Sequence, residues 1–116
     1  MTAPPLVECC APLARPSLSD AEAIGLEQVF KALGDRHRVK ILNTLVAAGG
    51  DEVCVCEFTA ALPLKQSTVS YHLKQLVDVG LIERRRRGTF AYYRVAPGAL
   101  ERVGDLLGAL PAAAAA

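Results

Sequence analysis

The order of patterned segments predicts a mainly α-helical chain with a small β-hairpin, arranged as a winged helix-turn-helix. Three observations carry that expectation. Five helical segments can be read, and the short third is separated from the longer fourth by a tight turn. Two strand-prone runs then meet at Gly88. Four consecutive arginines, Arg84 to Arg87, lie on the first of those runs beside the turn.

Residues 1–17 contain Pro4, Pro5, Pro12 and Pro16 and are expected to form an irregular, mobile arm that carries Cys9 and Cys10. Residues 18–111 form the folded unit, and 112–116 a tail of alanines with nothing to pack against. Ser19 or Asp20 can cap the first helix, which shows Ile24, Leu26, Val29, Phe30 and Leu33 before Gly34 ends it. Asp35 caps the second, with Val39, Ile41, Leu42, Leu45 and Val46 as its apolar face, up to Gly49-Gly50. Residues 53–56 are β-prone, and a third helix over about 57–61 stops at Pro63. The fourth is expected over about 66–79, with the buried stripe Val69, Leu73, Leu76 and Val77 closed by Gly80. Strands over 81–87 and 89–95 follow. Pro97 then opens a last helix with Leu100, Val103, Leu106, Leu107 and Leu110.

A chain of 116 residues, 52% hydrophobic, is one small domain and not a disordered protein. With no Trp and three Phe, its core is aliphatic. The net charge of +1 conceals a strong asymmetry. Residues 62–94 carry seven basic and two acidic side chains, whereas residues 1–61 carry five basic and eight acidic ones. A basic segment in a near-neutral protein is the footprint of a polyanionic partner, although a charge run more commonly marks a solvated face. No secretory signal and no span of about 20 apolar residues is evident, so no membrane partner and a cytoplasmic location are expected. Thiols there stay reduced, which makes the four cysteines ligands or redox groups before disulfides.

The stripe of the fourth helix leaves Ser67, Ser70, Tyr71 and Lys74 on the opposite face, with Gln66 and Thr68 at its start. Such side chains hydrogen-bond base edges and phosphates in a major groove. The hairpin would carry Arg84, Arg85, Arg86 and Arg87 to flanking phosphates or into the minor groove of duplex DNA.

Cys9, Cys10, Cys54 and Cys56 supply soft ligands. Side chains two apart share a side in extended chain but diverge by about 200° in a helix. Cys54 and Cys56 can therefore hold one ion only if residues 54–56 are extended or at a helix start, where the thiolate is also favoured. Adjacent Cys9 and Cys10 need a bend to converge. Cys10 lies ten positions before Asp20, a reach of at most about 35 Å. A buried apolar role fits cysteines in a β-prone stretch but not in a proline-rich arm. Redox sensing by paired thiols is a competing reading, and a structural zinc knuckle is disfavoured because CC and CVC are not CxxC. The C-x5-R match from Cys9 to Arg15 is accidental: Pro12 removes a backbone donor, and neither a glycine nor a preceding strand is present. No nucleophile–base pair or phosphate loop is seen, so neither an enzyme nor a catalytic cofactor is expected. His37 and His72 are expected to serve structure or DNA contact and to form no local cluster.

Four stretches, FKALGDRHRVKIL (30–42), CVCEF (54–58), the long run from Lys65 to Val95, and PGALERVGDLL, resemble the ArsR/SmtB family of metal-sensing repressors. They cover most of residues 20–110. The resemblance implies a homodimer formed through the first and last helices, which binds an inverted-repeat operator when metal-free. It implies thiolate ligation of As(III) or Sb(III), with Glu8-Cys9-Cys10 like the arsenic-responsive type; a repressor responsive to Cd(II), Pb(II) or zinc is the alternative, since CVC occurs in the arsenic/antimony type and in the cadmium/lead type. In relatives with such an arm pair, the arm crosses the dimer, which would join Cys9 and Cys10 to Cys54 or Cys56. The family's zinc site uses His on the last helix, which has none here. Lys65 and Ser67 depart from the usual Ser and Pro, and Pro63 and the Arg36-His37 pair also differ from the family pattern. Lys65 cannot cap, which weakens the start of the fourth helix by up to about 1 kcal/mol. Outside this class, the remaining readings are a thiol redox regulator and a small helical interaction module.

Overall fold

The computed structural model describes residue 13 and residues 17–107. Cys9, Cys10, Leu110 and the terminal alanines lie outside the described residues. The elements are α1 (Asp20–Leu33), α2 (Arg36–Ala47), β1 (Val53–Cys54), α3 (Val55–Ala61), α4 (Gln66–Asp78), β2 (Ile82–Arg87), β3 (Phe90–Val95) and α5 (Ala99–Leu107). This is the expected order, a mainly helical winged helix-turn-helix.

Local chemistry sets the boundaries. Ser19 caps α1 in a reciprocal box: its Oγ accepts from Glu22 N–H at 3.1 Å, and its own N–H donates to Glu22 Oε1 at 2.9 Å. Asp35 caps α2, its Oδ1 accepting from the N–H groups of His37 (2.8 Å) and Arg38 (3.2 Å). Lys65 precedes α4 with no side-chain cap, as its chemistry requires. The helix still begins at Gln66, because the Lys65 carbonyl accepts from Thr68 and Val69 N–H, each at 3.0 Å. Gly80, at φ 81°, turns the chain out of α4 and lets Leu81 N–H reach back to the Leu76 carbonyl. Gly88, at φ 61°, opens the two-residue turn between Arg87 and Phe90, a conformation that suits glycine.

The sheet has three strands rather than the two of a bare hairpin. β1 pairs antiparallel with β3, Val53 facing Tyr93 and Cys54 facing Tyr92, and β3 also pairs with β2, giving the order β1-β3-β2. The β-prone stretch is shorter than expected and α3 starts two residues earlier, at Val55, because Cys54 itself acts as N-cap.

One core joins all elements: Leu26 and Val29 of α1, Ile41 and Leu45 of α2, Phe58 of α3, Val69, Leu73 and Leu76 of α4, Ile82 and Tyr93 of the sheet, and Leu106 of α5. Three expected core residues are exposed instead: Ile24, Val39 and Val46. At 100° per residue, Val39 lies 200° around the helix from Ile41, so a single face cannot bury both. Leu107 is also exposed, Leu100 is at the margin and Val103 is half-buried, so α5 keeps an apolar face beyond the one that Leu106 inserts. Leu13, within the segment expected to be a free arm, donates its N–H to the Leu106 carbonyl at 3.0 Å. Among the described residues, no helix is long and apolar enough to cross a membrane.

Candidate nucleic-acid interface and thiol site

Helix α4 presents two faces. Val69, His72, Leu73 and Leu76 are buried, while Gln66, Ser67, Ser70, Tyr71 and Lys74 are exposed and Thr68 is half-buried. Tyr71 is 56% exposed, which leaves its ring and hydroxyl free to meet a partner. Lys74 is held along its own helix by Asp78, Nζ to Oδ2 at 2.8 Å. Five of the six polar positions expected on this helix are exposed, and the sixth, Thr68, is half-buried.

His37 and His72, expected to serve structure or DNA contact, face each other, and His72 is buried as a structural residue. Their rings are 5.9 Å apart between the start of α2 and the middle of α4. Arg38 completes the group: Nη1 lies 3.3 Å from His72 Nδ1, and Nη2 donates to the Lys31 carbonyl at the end of α1 at 3.2 Å. With a guanidinium as donor, Nδ1 must accept, so the ring is neutral with its proton on Nε2. Burial holds the His72 imidazole below its ordinary value; Asp35, 4.0 Å away, pulls the other way, but Arg38 and His37 reinforce the burial. Burial would raise the Asp35 carboxyl, yet the backbone N–H groups of Arg38 and His37, with the Arg38 guanidinium charge, hold it below the usual aspartate value. The capping group of α2 is thereby tied to the interior of the helix that faces outward.

The wing is strongly basic. Arg84 to Arg87 all project from β2 as exposed residues. Arg94 on β3 is neutralised by Glu83, Nε to Oε1 at 2.9 Å. Arg85 and Arg87 both pair with Glu52, and Arg87 also lies over the Tyr92 ring, 5.5 Å from its centroid. Sequence reading missed Glu52 as a partner of the wing. Only the β1–β3 pairing brings it there, and a two-residue strand leaves little periodic signal.

Cys54 and Cys56 sit where β1 becomes α3, the junction their spacing requires if they are to act together. Cys54 is extended (φ −66°, ψ 141°) and its Sγ accepts from Cys56 N–H at 3.3 Å. The two sulfurs are joined as a disulfide, with the Cα atoms 5.2 Å apart, where the sequence reading expected free thiols. The convergence follows from the junction, which turns both Cβ atoms to one side. Among the described residues, no cluster of three or more Cys, His, Asp or Glu side chains could hold a metal ion. A three-thiolate site within one chain would need Cys9 or Cys10, which lie outside the described residues.

A helix-turn-helix with one exposed polar helix and a basic hairpin defines the winged-helix class of regulatory proteins. The model of the arsR family of bacterial regulatory proteins matches residues 35–84. The chain is 36% identical over 104 residues to a putative arsenical resistance operon repressor of Halobacterium salinarum, covering 86% of this chain and 84% of that one. An arsenical resistance operon repressor of Bacillus subtilis is 45% identical over 67 residues, 58% of this chain and 62% of the relative, so the match spans less than two thirds of that protein's length. A cadmium resistance regulatory protein homologue of Staphylococcus aureus is 35% identical over 69% of this chain and 64% of its own. Among solved structures, a homodimeric winged helix-turn-helix DNA-binding domain of Mycobacterium bovis, a possible ArsR-family regulator, superposes with TM-score 0.58 at 35% identity, covering 77% of this chain and 82% of that one. The chain belongs to the arsR family of bacterial regulatory proteins.

Proposed function

We propose that this chain is a homodimeric transcriptional repressor that leaves its operator when As(III) or Sb(III) binds its cysteine thiolates. The observation that carries the proposal is the convergence of Cys54 and Cys56 at the entrance to the helix-turn-helix, with Cys54 on a strand paired to the wing and Cys56 in the first turn of α3. Reduced, those two thiols offer a preformed half-site for a soft ion; Cys9 and Cys10 supply the remaining ligand or ligands, and no catalytic group is involved. Exposed Tyr71, Ser70, Ser67, Gln66 and Lys74, with half-buried Thr68, read or position the duplex, and Arg84 to Arg87 contact phosphate. The exposed apolar residues of α1 and α5, Ile24 and Leu107 among them, support pairing of two copies through the terminal helices. The arsenical-resistance relatives favour As(III), and Sb(III) shares its affinity for thiolates; the cadmium-resistance relative keeps Cd(II) as the second choice, with Pb(II) as a similarly soft divalent ion.

An ion releases DNA only if it binds the DNA-free conformation better, and the coupling is typically about 1–3 kcal/mol. A second reading, a thiol redox regulator, draws on the Cys54–Cys56 disulfide. The test is dissociation of a labelled operator duplex titrated with arsenite, antimonite, cadmium, lead or zinc under reducing conditions, and separately with peroxide. Release by arsenite and antimonite at the lowest concentrations supports the proposal. Release by peroxide alone supports the redox reading.

A further inference from the structure

The four wing arginines are not equivalent. Cys54, Tyr92 and Arg85 are aligned across the three strands, so their side chains share the same face of the sheet, and Arg87, two residues on, shares it too. Glu52 reaches this face from just ahead of β1. Its Oε1 contacts Arg87 Nη2 directly and its Oε2 lies 3.9 Å from Arg85 Nη1. The carboxylate is only 16% exposed, whereas the Arg85 and Arg87 side chains are 67% and 58% exposed. Arg84 and Arg86 have no ion pair among the described residues. A carboxylate and a phosphodiester are both anions that accept from a guanidinium fork, so they compete for the same donors.

We propose that Glu52 is an internal stand-in for a DNA phosphate, holding Arg85 and Arg87 against the sheet and so keeping the wing below its full affinity for duplex. This deepens the reading of the wing as a DNA contact and rests on it. Arg84 and Arg86 meet phosphate without competition. Arg85 and Arg87 do so only by giving up Glu52. Because Glu52 lies two residues before Cys54, the same short segment carries half of the proposed ion site and the brake on the wing.

Glu52→Gln keeps the shape and removes the charge. It should bind both operator and random duplex about three- to tenfold more tightly at low salt, since each exposed ion pair it releases is weak. Its log–log salt dependence should steepen by up to about 2, one per arginine freed for phosphate. The gain should disappear in a chain that also carries Arg85→Ala and Arg87→Ala, which separates competition for these arginines from the general loss of one negative charge. Glu52→Asp, with its carboxylate drawn back by one methylene, should fall between wild type and Glu52→Gln, and it keeps the test available if the glutamine variant folds poorly. Unchanged or weaker binding by Glu52→Gln, or a gain that persists without Arg85 and Arg87, overturns the inference while leaving the DNA-binding reading intact. Absence of salt-dependent duplex binding by the wild type overturns both.

Discussion

Arg38 reaches from α2 to His72 in the middle of α4, its Nη1 3.3 Å from the imidazole Nδ1, so the outward-facing helix is anchored from behind by a neutral histidine. The folded state holds that imidazole below its ordinary value of 6.5, chiefly by burial. The unfolded chain therefore takes up a proton first as pH falls. Stability is at its plateau above about pH 6.5 and declines as pH falls from there toward the lower folded value. The melting temperature should drop between pH 7 and pH 5, and His72→Gln should flatten that drop. An equally steep decline in the variant would place the effect elsewhere.

Asp35 acts on the other side of the same contact. Two backbone N–H groups bond its Oδ1, and its carboxyl is held below the ordinary aspartate value. Its contribution is present above pH 3.8 and is lost as pH falls through the lower folded value. Asp35→Ala should cost about 1–2 kcal/mol in denaturant unfolding at pH 7. Asp35→Ser, which can still cap, should recover part of that loss.

These contacts also mark how far the sequence could be read. The order of the helices and the hairpin was legible because each has a strong period or a turn residue: Val69, Leu73 and Leu76 on α4, and Gly88 in the wing. His72 was not legible as core, although it lies only 60° around the helix from Val69, because a polar side chain breaks an apolar pattern and its partner Arg38 is 34 residues away. Val39 and Val46 were misplaced because hydrophobicity alone does not fix which of two faces a helix buries. The polar residues of α4 and the cysteine junction were legible from spacing; the hold of Glu52 on the wing depends on strand pairing and was not. Cys9 and Cys10 were found from the sequence and lie outside the described residues.

Tyr71, exposed beside Ser70 on α4, is expected to read base edges rather than only to position the backbone. Tyr71→Ala should lower affinity for operator by about 1–3 kcal/mol and for random duplex by much less. Competition binding with both duplexes measures the difference. Equal losses would make Tyr71 a phosphate contact or a packing residue.

Among the described residues, Arg84 and Arg86 lack the carboxylate partner, Glu52, that Arg85 and Arg87 have. Replacing both with alanine should weaken binding to every duplex and lower the slope of log affinity against log salt by up to about 2. A slope equal to that of wild type would remove these two arginines from the interface.

Leu107, 54% exposed at the end of α5, is expected to lie between two copies of the chain. Leu107→Glu should shift the protein from dimer to monomer in sedimentation equilibrium and weaken operator binding in parallel. A variant that stays dimeric would move the pairing surface away from this face.

The central claim is that a soft ion joins Cys9 and Cys10 to Cys54 and Cys56 and thereby weakens the hold on DNA. Its most direct test is an arsenite titration of the operator complex under reducing conditions, run on wild type and on the Cys9→Ser, Cys10→Ser double variant. Both should bind operator equally without arsenite, wild type should be released by it, and the double variant should stay bound. Release of the double variant at the wild-type arsenite concentration would contradict the claim.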